Sequence, residues 1–155
     1  PKPFLKAANI DRFSMCFNVG KDGVLRLGGE KERAAKELGN IGKMHWGLDF
    51  RGVSIGNETA PVIFCDPSKK EKNQTTTCGA IPDSGTTVMM GAPEHLMKLF
   101  TNICNEWPRC VKAAQAHPKL DKLEVFHILL MSCMDWSKDG DVSEMPSLFF
   151  NLAGA

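Results

Sequence analysis

The chain has 155 residues, of which 43% are hydrophobic and 24% are charged, a balance typical of one globular domain with its own core. Its 19 Lys and Arg residues nearly match its 18 Asp and Glu residues, so the net charge of +1 gives no basic field for nucleic acid or anionic lipid. No apolar run reaches the roughly 18 residues of a transmembrane helix, and Pro1-Lys2-Pro3 does not begin a signal peptide. We therefore expect a soluble chain without a nucleic-acid partner or a membrane span, which is an internal or processed piece of a longer protein.

The N-terminal part of the sequence predicts an antiparallel sheet, because short apolar runs alternate there with turn residues. A charged stretch of good helix formers, Glu30–Leu38, interrupts this pattern and predicts a solvated loop or a short surface helix. The glycines that separate the apolar runs are Gly20, Gly23, Gly28, Gly29, Gly39, Gly42, Gly47, Gly52 and Gly56.

Four of the six cysteines bracket short loops, which predicts the disulfides Cys65–Cys78 and Cys104–Cys110. Zinc is the alternative, but no His stands at ligand spacing from either pair and neither pair is Cys-x-x-Cys. Cys16 and Cys133 remain; they pair with each other or with residues outside this sequence.

Two glycosylation sequons agree with an oxidising compartment. They are Asn57-Glu58-Thr59 and Asn73-Gln74-Thr75, and the second lies inside the Cys65–Cys78 loop, where an exposed acceptor is expected. We therefore expect a glycoprotein of the secretory pathway, extracellular or vacuolar/lysosomal.

An acid loop follows the apolar pair Ala80-Ile81 and is the strongest chemical signal in the chain. It combines one acid with hydroxyls and a glycine, which lets the backbone approach a neighbour closely. This combination is suited to holding a carboxylate at a defined angle. The loop residues are Asp83, Ser84, Gly85, Thr86 and Thr87.

The pattern becomes helical after Pro93, which suits a first helical turn, and Pro108 breaks it. A second short helix is predicted over Val111–Ala116, ending near Pro118. Beyond it, helical spacing continues, although Val125–Met131 has equally the composition of a buried strand.

Metal sites are not predicted. The segment from Asp135 to Asp141 imitates the start of a calcium loop, but its twelfth position is Pro146 rather than Glu, so we expect a polar turn. No cofactor motif is present. The histidines, which we interpret as surface or partly buried side chains, are His45, His95, His117 and His127.

The acid loop resembles the Asp-Ser/Thr-Gly-Thr loop of pepsin-like aspartic proteases, and further landmarks occur in that family's order. Phe13–Phe17 with Gly23–Gly29 resembles the strand pair that opens the family's C-terminal lobe, and Trp46–Gly56 resembles its next hairpin. Cys78-Gly79 leads into the loop, Gly91-Ala92-Pro93 opens a helical segment, and Met145–Leu152 resembles a later Pro-x-hydrophobic-x-Phe strand.

The resemblance implies a mainly β fold, one incomplete lobe of a double-ψ β-barrel spanning residues 1–155, with a helical insertion at about 93–124. It also implies a strand near Cys133. In this family two lobes each supply one acid loop, and this sequence holds one such loop. The first lobe and the closing strands of this lobe are therefore expected elsewhere, on the same chain or on a partner chain.

The implied activity is hydrolysis of peptide bonds by two carboxylates that share a proton and activate water. Asp83 is one of these acids, Gly85 permits the tight loop, and Thr86 steadies it by hydrogen bonds to the opposite lobe. A peptide or protein is the substrate, and the chain alone is expected to be inactive.

Two alternatives remain. The first is a catalytically inactive pepsin-like lobe that serves as a binding or structural subunit. The second is more distant: Asp83-Ser-Gly-Thr-Thr also resembles the phosphate loop of actin and heat-shock ATPases, although that loop belongs near the start of its domain.

Overall fold

The computed structural model describes residues 2–42, 44–57, 61–62, 64, 68 and 79–153. The chain divides into two compact units, Pro1–Glu37 and Leu38–Ala155. Of the described residues, 34% are helical and 19% lie in strands, and the strands form small sheets. The mainly β class and the pepsin-like barrel stay predictions, because no such barrel is identified within these ranges.

The smaller unit contains a short helix and a β-hairpin. Helix α1 spans Phe4–Ala7, and strands β1 (Phe13–Cys16) and β2 (Val24–Leu27) pair antiparallel. A strand pair at these residues is therefore confirmed, and its place in a pepsin-like lobe stays a prediction. Gly23 lies in the tight connection, where a Cβ atom would be 2.9 Å from the carbonyl oxygen of Cys16. Both strands are exposed along their whole length.

The charged stretch at the end of the smaller unit is a loop. Residues 30–37 are exposed and contain no helix, which decides between the two predicted alternatives in favour of the solvated loop. A salt bridge of 2.6 Å joins Lys31 Nζ to Glu37 Oε2 across this loop.

One long strand organises the sheet of the larger unit. Strand β3 (Leu48–Ile55) pairs antiparallel with β4 (Pro61–Val62), β5 (Gly79–Ala80) and β6 (Leu148–Leu152). The start of β3 pairs with β5 and its end pairs with β4, while β6 runs beside its other edge. The predicted strand near the C-terminus is confirmed as β6.

The predicted hairpin over Trp46–Gly56 is wrong, because this segment contributes a single strand. Gly52 does not turn the chain; it lies at a register shift between β3 and β6, with a φ of +133° that glycine accepts more readily than other residues. The strand therefore bends at Gly52 and continues to Ile55.

A helical layer packs on this sheet. Helices α2 (Pro93–Glu106), α3 (Pro108–Ala116), α4 (Lys122–Met131) and α5 (Cys133–Trp136) follow one another. Both predicted helices after Pro93 are confirmed. The shared core, drawn from β3 and from α2 to α4, consists of Val53, Ile55, Ile103, Cys104, Trp107, Cys110, Val125 and Phe126.

The segment Val125–Met131, for which the sequence allowed either a helix or a strand, belongs to helix α4. Asp121 starts it with a capping box: its Oδ1 accepts from the backbone N–H of Glu124, and Glu124 Oε2 accepts from the backbone N–H of Asp121, each at 2.8 Å. The strand expected near Cys133 is wrong, because the chain there forms α5. Helical structure consequently extends past residue 124, to Trp136.

The Cys104–Cys110 disulfide is confirmed. It joins the end of α2 to the start of α3 with a Cα–Cα distance of 5.1 Å, and both cysteines are completely buried around Trp107. Across the described ranges, no helix combines the length and the apolar character needed to cross a bilayer.

Candidate active site

The acid loop is held between two regular elements of the larger unit. It leaves strand β5, whose residues Gly79 and Ala80 pair with Asp49 and Leu48 of β3. It ends where Pro93 begins α2, a helix anchored in the core through Ile103 and Cys104. The loop thus projects from a paired strand and returns to a helix whose C-terminal end is anchored in the core.

The Asp83 carboxylate is oriented by donors from its own loop. Its Oδ1 accepts a hydrogen bond from the backbone N–H of Gly85 at 2.8 Å, and its Oδ2 accepts one from Thr86 Oγ1 at 2.5 Å. Both carboxylate oxygens therefore accept hydrogen bonds from residues two and three positions later in the chain. Asp83 itself is exposed to solvent. The carboxylate is displayed in a fixed orientation.

Gly85 serves this loop through close approach. A Cβ atom built on Gly85 would lie 3.3 Å from Asp83 Oδ1, which is tighter than most Cβ contacts. Positive φ angles occur at several glycines of the chain, but the Gly85 backbone needs none. Glycine therefore suits position 85 because it has no side chain, not because it adopts a positive φ.

The surroundings favour the ionised form of Asp83. The hydrogen bond from Thr86 is the largest cause, followed by that from the Gly85 N–H; together with the charge of His45, they lower the pKa of Asp83 against a smaller opposing effect of desolvation. The carboxylate therefore stays an anion further into acid than an ordinary aspartate. It can accept a proton from a bound water in mildly acidic solution.

The loop lies among exposed apolar side chains. Ile81 precedes the acid, and Val88, Met89 and Met90 follow the loop; these four side chains are 58%, 65%, 67% and 79% exposed, respectively. Exposed apolar residues clustered beside a functional group are typical of surfaces that contact another molecule.

The other predicted residues of the loop differ in their exposure. Ser84 and Thr87 are exposed, whereas Thr86 is half-buried. The hydroxyl of Thr86 donates within its own loop, to Asp83, rather than to an opposite lobe as the resemblance implied.

The glycosylation and cysteine predictions are only partly covered by the described residues. Asn57 is exposed at the end of β3. Asn73, Cys65 and Cys78 lie outside the described residues, so their predicted roles stay predictions. Cys16 and Cys133 are exposed and carry free thiols.

Within the described part of the chain, no three His, Cys, Asp or Glu side chains group as metal ligands. Over the same ranges, the charged group that acts on Asp83 is His45, and no second carboxylate does so.

Sequence reasoning did not relate His45 to the acid loop, although its charge makes a small contribution to the lowered pKa of Asp83. Asn40 Oδ1 accepts from the backbone N–H groups of Gly42 and Gly47, at 3.1 and 2.8 Å, and thereby closes the loop that carries His45. The Asn-x-Gly at 40–42 followed by Gly47 is the sequence signal of this closed loop. Comparison with protein families, with curated proteins and with solved structures yields no match to this chain.

Proposed function

We propose that this chain supplies one catalytic carboxylate, Asp83, of an aspartic endopeptidase whose second acid lies on a loop outside these residues. The observation that carries the proposal is the Asp83 loop itself, in which both carboxylate oxygens accept hydrogen bonds from Gly85 and Thr86. The resemblance of Asp83–Thr87 to the family loop supports the same proposal.

The lowered pKa gives Asp83 a specific part in this mechanism. When two carboxylates share a site, one proton is shared between them and one acid is ionised. Asp83 is the ionised member and takes a proton from the water as the water oxygen bonds to the peptide carbon. The partner acid gives its proton to the carbonyl oxygen. The C–N bond then breaks as the nitrogen takes up the proton held by Asp83, and one hydroxyl of the intermediate returns its proton to the partner acid, which leaves a free carboxylic acid and an amine.

The exposed apolar residues beside the loop support a partner on this face. Ile81, Val88, Met89 and Met90 remain uncovered by the described residues of the unit. A second lobe that brings its own acid loop against Asp83 covers such side chains and lowers the local dielectric, which strengthens the interactions of the shared proton.

A binding or structural subunit without catalysis is the second candidate. One observation favours it: among the described residues no carboxylate acts on Asp83, so the described part of the unit supplies no proton-sharing pair. In this role the same apolar face binds a partner protein, and Asp83 contributes a polar anchor.

We also propose a secretory, extracellular or vacuolar/lysosomal location. The Cys104–Cys110 disulfide supports it, since disulfides form and persist in oxidising compartments. The exposed Asn57 of the first sequon is available to a glycosyltransferase.

The test that separates enzyme from scaffold uses the protein purified from its native source. Intact-mass analysis first determines whether a second Asp-Ser/Thr-Gly loop is present on the same or a co-purifying chain. A statine peptide, which mimics the transition state, then raises the melting temperature of the assembly if two acid loops form one site. Two acid loops with no thermal shift contradict the protease and favour the scaffold.

A further inference from the structure

Strand β6 lies at an edge of the sheet in the larger unit. Among the described strands it pairs with β3 alone, in a register that runs from Ile55–Leu148 to Phe50–Leu152. Its other long side therefore faces no described strand. An unpaired strand edge presents a row of backbone N–H and C=O groups that can pair with another chain.

The two ends of the β3–β6 ladder show which backbone groups of β6 point toward β3. The N–H of Gly56 donates to the carbonyl of Ser147 at 2.9 Å, and the N–H of Ala153 donates to the carbonyl of Asp49 at 2.8 Å. Between these ends, the backbone groups of successive residues point to opposite sides of the strand. The residues that direct their N–H and C=O groups toward the free edge are Leu148, Phe150 and Leu152.

This edge lacks the features that prevent pairing between proteins. Natural edge strands are protected by charged side chains, by proline or by a covering element. Strand β6 contains neither a charge nor a proline, and no charged side chain occurs from Met145 to Ala155. Phe150, in the middle of the strand, is 53% exposed. The described part of the chain thus leaves an apolar, uncharged edge open around Phe150.

The order of residues along the edge identifies the strand that fits it. The three residues with outward backbone groups are Leu, Phe and Leu, which is the same order in both directions. When two copies pair antiparallel about a two-fold axis, Phe150 faces Phe150 of the second copy, and Leu148 faces Leu152 of the second copy. Each of these pairs exchanges two backbone hydrogen bonds. The aromatic pair adds a favourable cross-strand contact, and no like charges meet.

We propose that β6 is a dimerisation strand, which pairs antiparallel with β6 of a second copy of this chain. The sheets of the two copies then join into one continuous sheet. Each copy contributes a strand of 5 residues, fewer than the roughly 20–30 residues per side of a stable complex. The dimer is therefore reversible and forms as the concentration rises. This inference goes beyond the proposed function, because the edge lies on β6 whereas the acid loop leaves β5.

Sedimentation velocity of the 155-residue chain over a wide range of concentrations tests the dimer. The wild type is expected to change from monomer to dimer as the concentration rises. Phe150→Lys removes the aromatic pair and places two like charges face to face, so the dissociation constant rises about tenfold or more. The matched control, Phe17→Lys, makes the same change at an exposed phenylalanine of the smaller unit and leaves dimerisation unchanged. Melting temperatures verify that both variants remain folded.

An exchange of charges tests the register. Phe150→Glu alone also weakens the dimer, for the same reason as Phe150→Lys. An equimolar mixture of the two variants forms a heterodimer, because position 150 of one copy faces position 150 of the other and the charges are now opposite. Misfolding of either variant cannot produce this recovery.

Three results would overturn the inference. The first is a wild type that stays monomeric at every concentration; if this monomer binds a synthetic peptide of residues 147–153, the edge accepts a strand from another protein instead. The second is a dimer that Phe150→Lys leaves intact. The third is a mixture of Phe150→Lys and Phe150→Glu that dimerises no better than either variant alone.

Discussion

At the scale of single residues, two neighbours in the loop largely determine the orientation and the pKa of Asp83. Thr86 and Gly85 supply its two hydrogen bonds, and both belong to the same loop. The orientation of the carboxylate therefore does not require a partner lobe. In the proposed protease, a partner would add the second acid to a carboxylate that is already in place.

Thr86→Val removes the strongest of these hydrogen bonds while keeping a side chain of similar shape. We expect the pKa of Asp83 to rise in this variant, because the hydroxyl of Thr86 is the largest cause of its lowered value. The exposed Thr87→Val serves as the control and leaves the titration unchanged. Carboxyl NMR of both variants measures the effect, and an unaltered Asp83 titration in Thr86→Val contradicts the local account of the site.

The lowered pKa of Asp83 also makes the free energy of unfolding depend on pH. A carboxyl with a lowered pKa in the folded state stabilises that state above its ordinary pKa, which is 3.8 for Asp83. This stabilisation is lost as the pH falls through the folded-state value. Thr86→Val therefore weakens the pH dependence that Asp83 contributes between the two values.

At the scale of elements, Glu144 connects the helical layer to the segment before β6. Its Oε1 accepts from Trp107 Nε1 at 3.1 Å and from Arg109 Nε at 2.5 Å, and its Oε2 accepts from Arg109 Nη2 at 2.9 Å. Such a bidentate pair fixes geometry as well as charge. Trp107 fills the core behind it and is completely buried.

Glu144→Gln is expected to reduce the loss of stability in acid. The hydrogen bond from Arg109 lowers the pKa of Glu144 below its ordinary 4.5, so its contribution is full above that pH and is lost as the pH falls through the folded-state value. Urea unfolding of the wild type, Glu144→Gln and the exposed control Glu106→Gln between neutral and strongly acidic pH measures this. An equally steep acid destabilisation in Glu144→Gln and the wild type contradicts the assignment.

The disulfide between α2 and α3 is a second element-scale determinant of stability. Replacing both Cys104 and Cys110 by Ala opens a short loop in the centre of the core, and loop-closure entropy alone gives a loss of about 2 kcal/mol. The matched control replaces the exposed free thiols Cys16 and Cys133 by Ala and costs little. Urea unfolding compares the two double variants, and equal stability of both contradicts the structural role of the disulfide.

Local signals in the sequence predicted most elements, whereas tertiary pairing decided the others. Pro93 and Pro108 mark helix starts by their fixed φ, so α2 and α3 were predictable. Gly52 carries no local signal that separates a turn from a bulge, and only the pairing with β6 decides it. For α4, the capping pair Asp121 and Glu124 was present in the sequence and outweighs the strand-like composition that follows.

The candidate site was predictable where its contacts are local in the sequence. Asp83, Gly85 and Thr86 interact within four consecutive residues, so their sequence pattern contains the contact. The small effect of the His45 charge on the pKa of Asp83 comes from a residue far from Asp83 in the sequence, so no local pattern predicts it.

At the scale of the whole molecule, the larger unit contains the acid loop, the sheet and the helical layer. Its described residues bring one carboxylate to the site, whereas hydrolysis by proton sharing needs two. Completeness of the site is therefore the property that separates the proposed enzyme from the proposed scaffold.

The 155-residue chain alone is expected to show no peptidase activity at acid pH. Asp83 has no proton-sharing carboxylate among the described residues, so water is not activated between two acids. A quenched-fluorescence peptide library, assayed over a range of protein concentrations, measures this. Cleavage that rises with the square of concentration and disappears in Asp83→Asn indicates instead that two copies form the pair.

The most direct test of the central claim is the turnover of Asp83→Asn within the complete assembly that contains both acid loops. Asn keeps the shape of the side chain but cannot take up the proton, so kcat is expected to fall by about three orders of magnitude or more, the size of a lost general base, while the melting temperature changes little. Asp139→Asn is the matched control, because Asp139 has a φ of +53° that Asn also tolerates, and it keeps wild-type turnover. Wild-type turnover in Asp83→Asn would contradict the catalytic role of the loop and leave the binding subunit as the function of this chain.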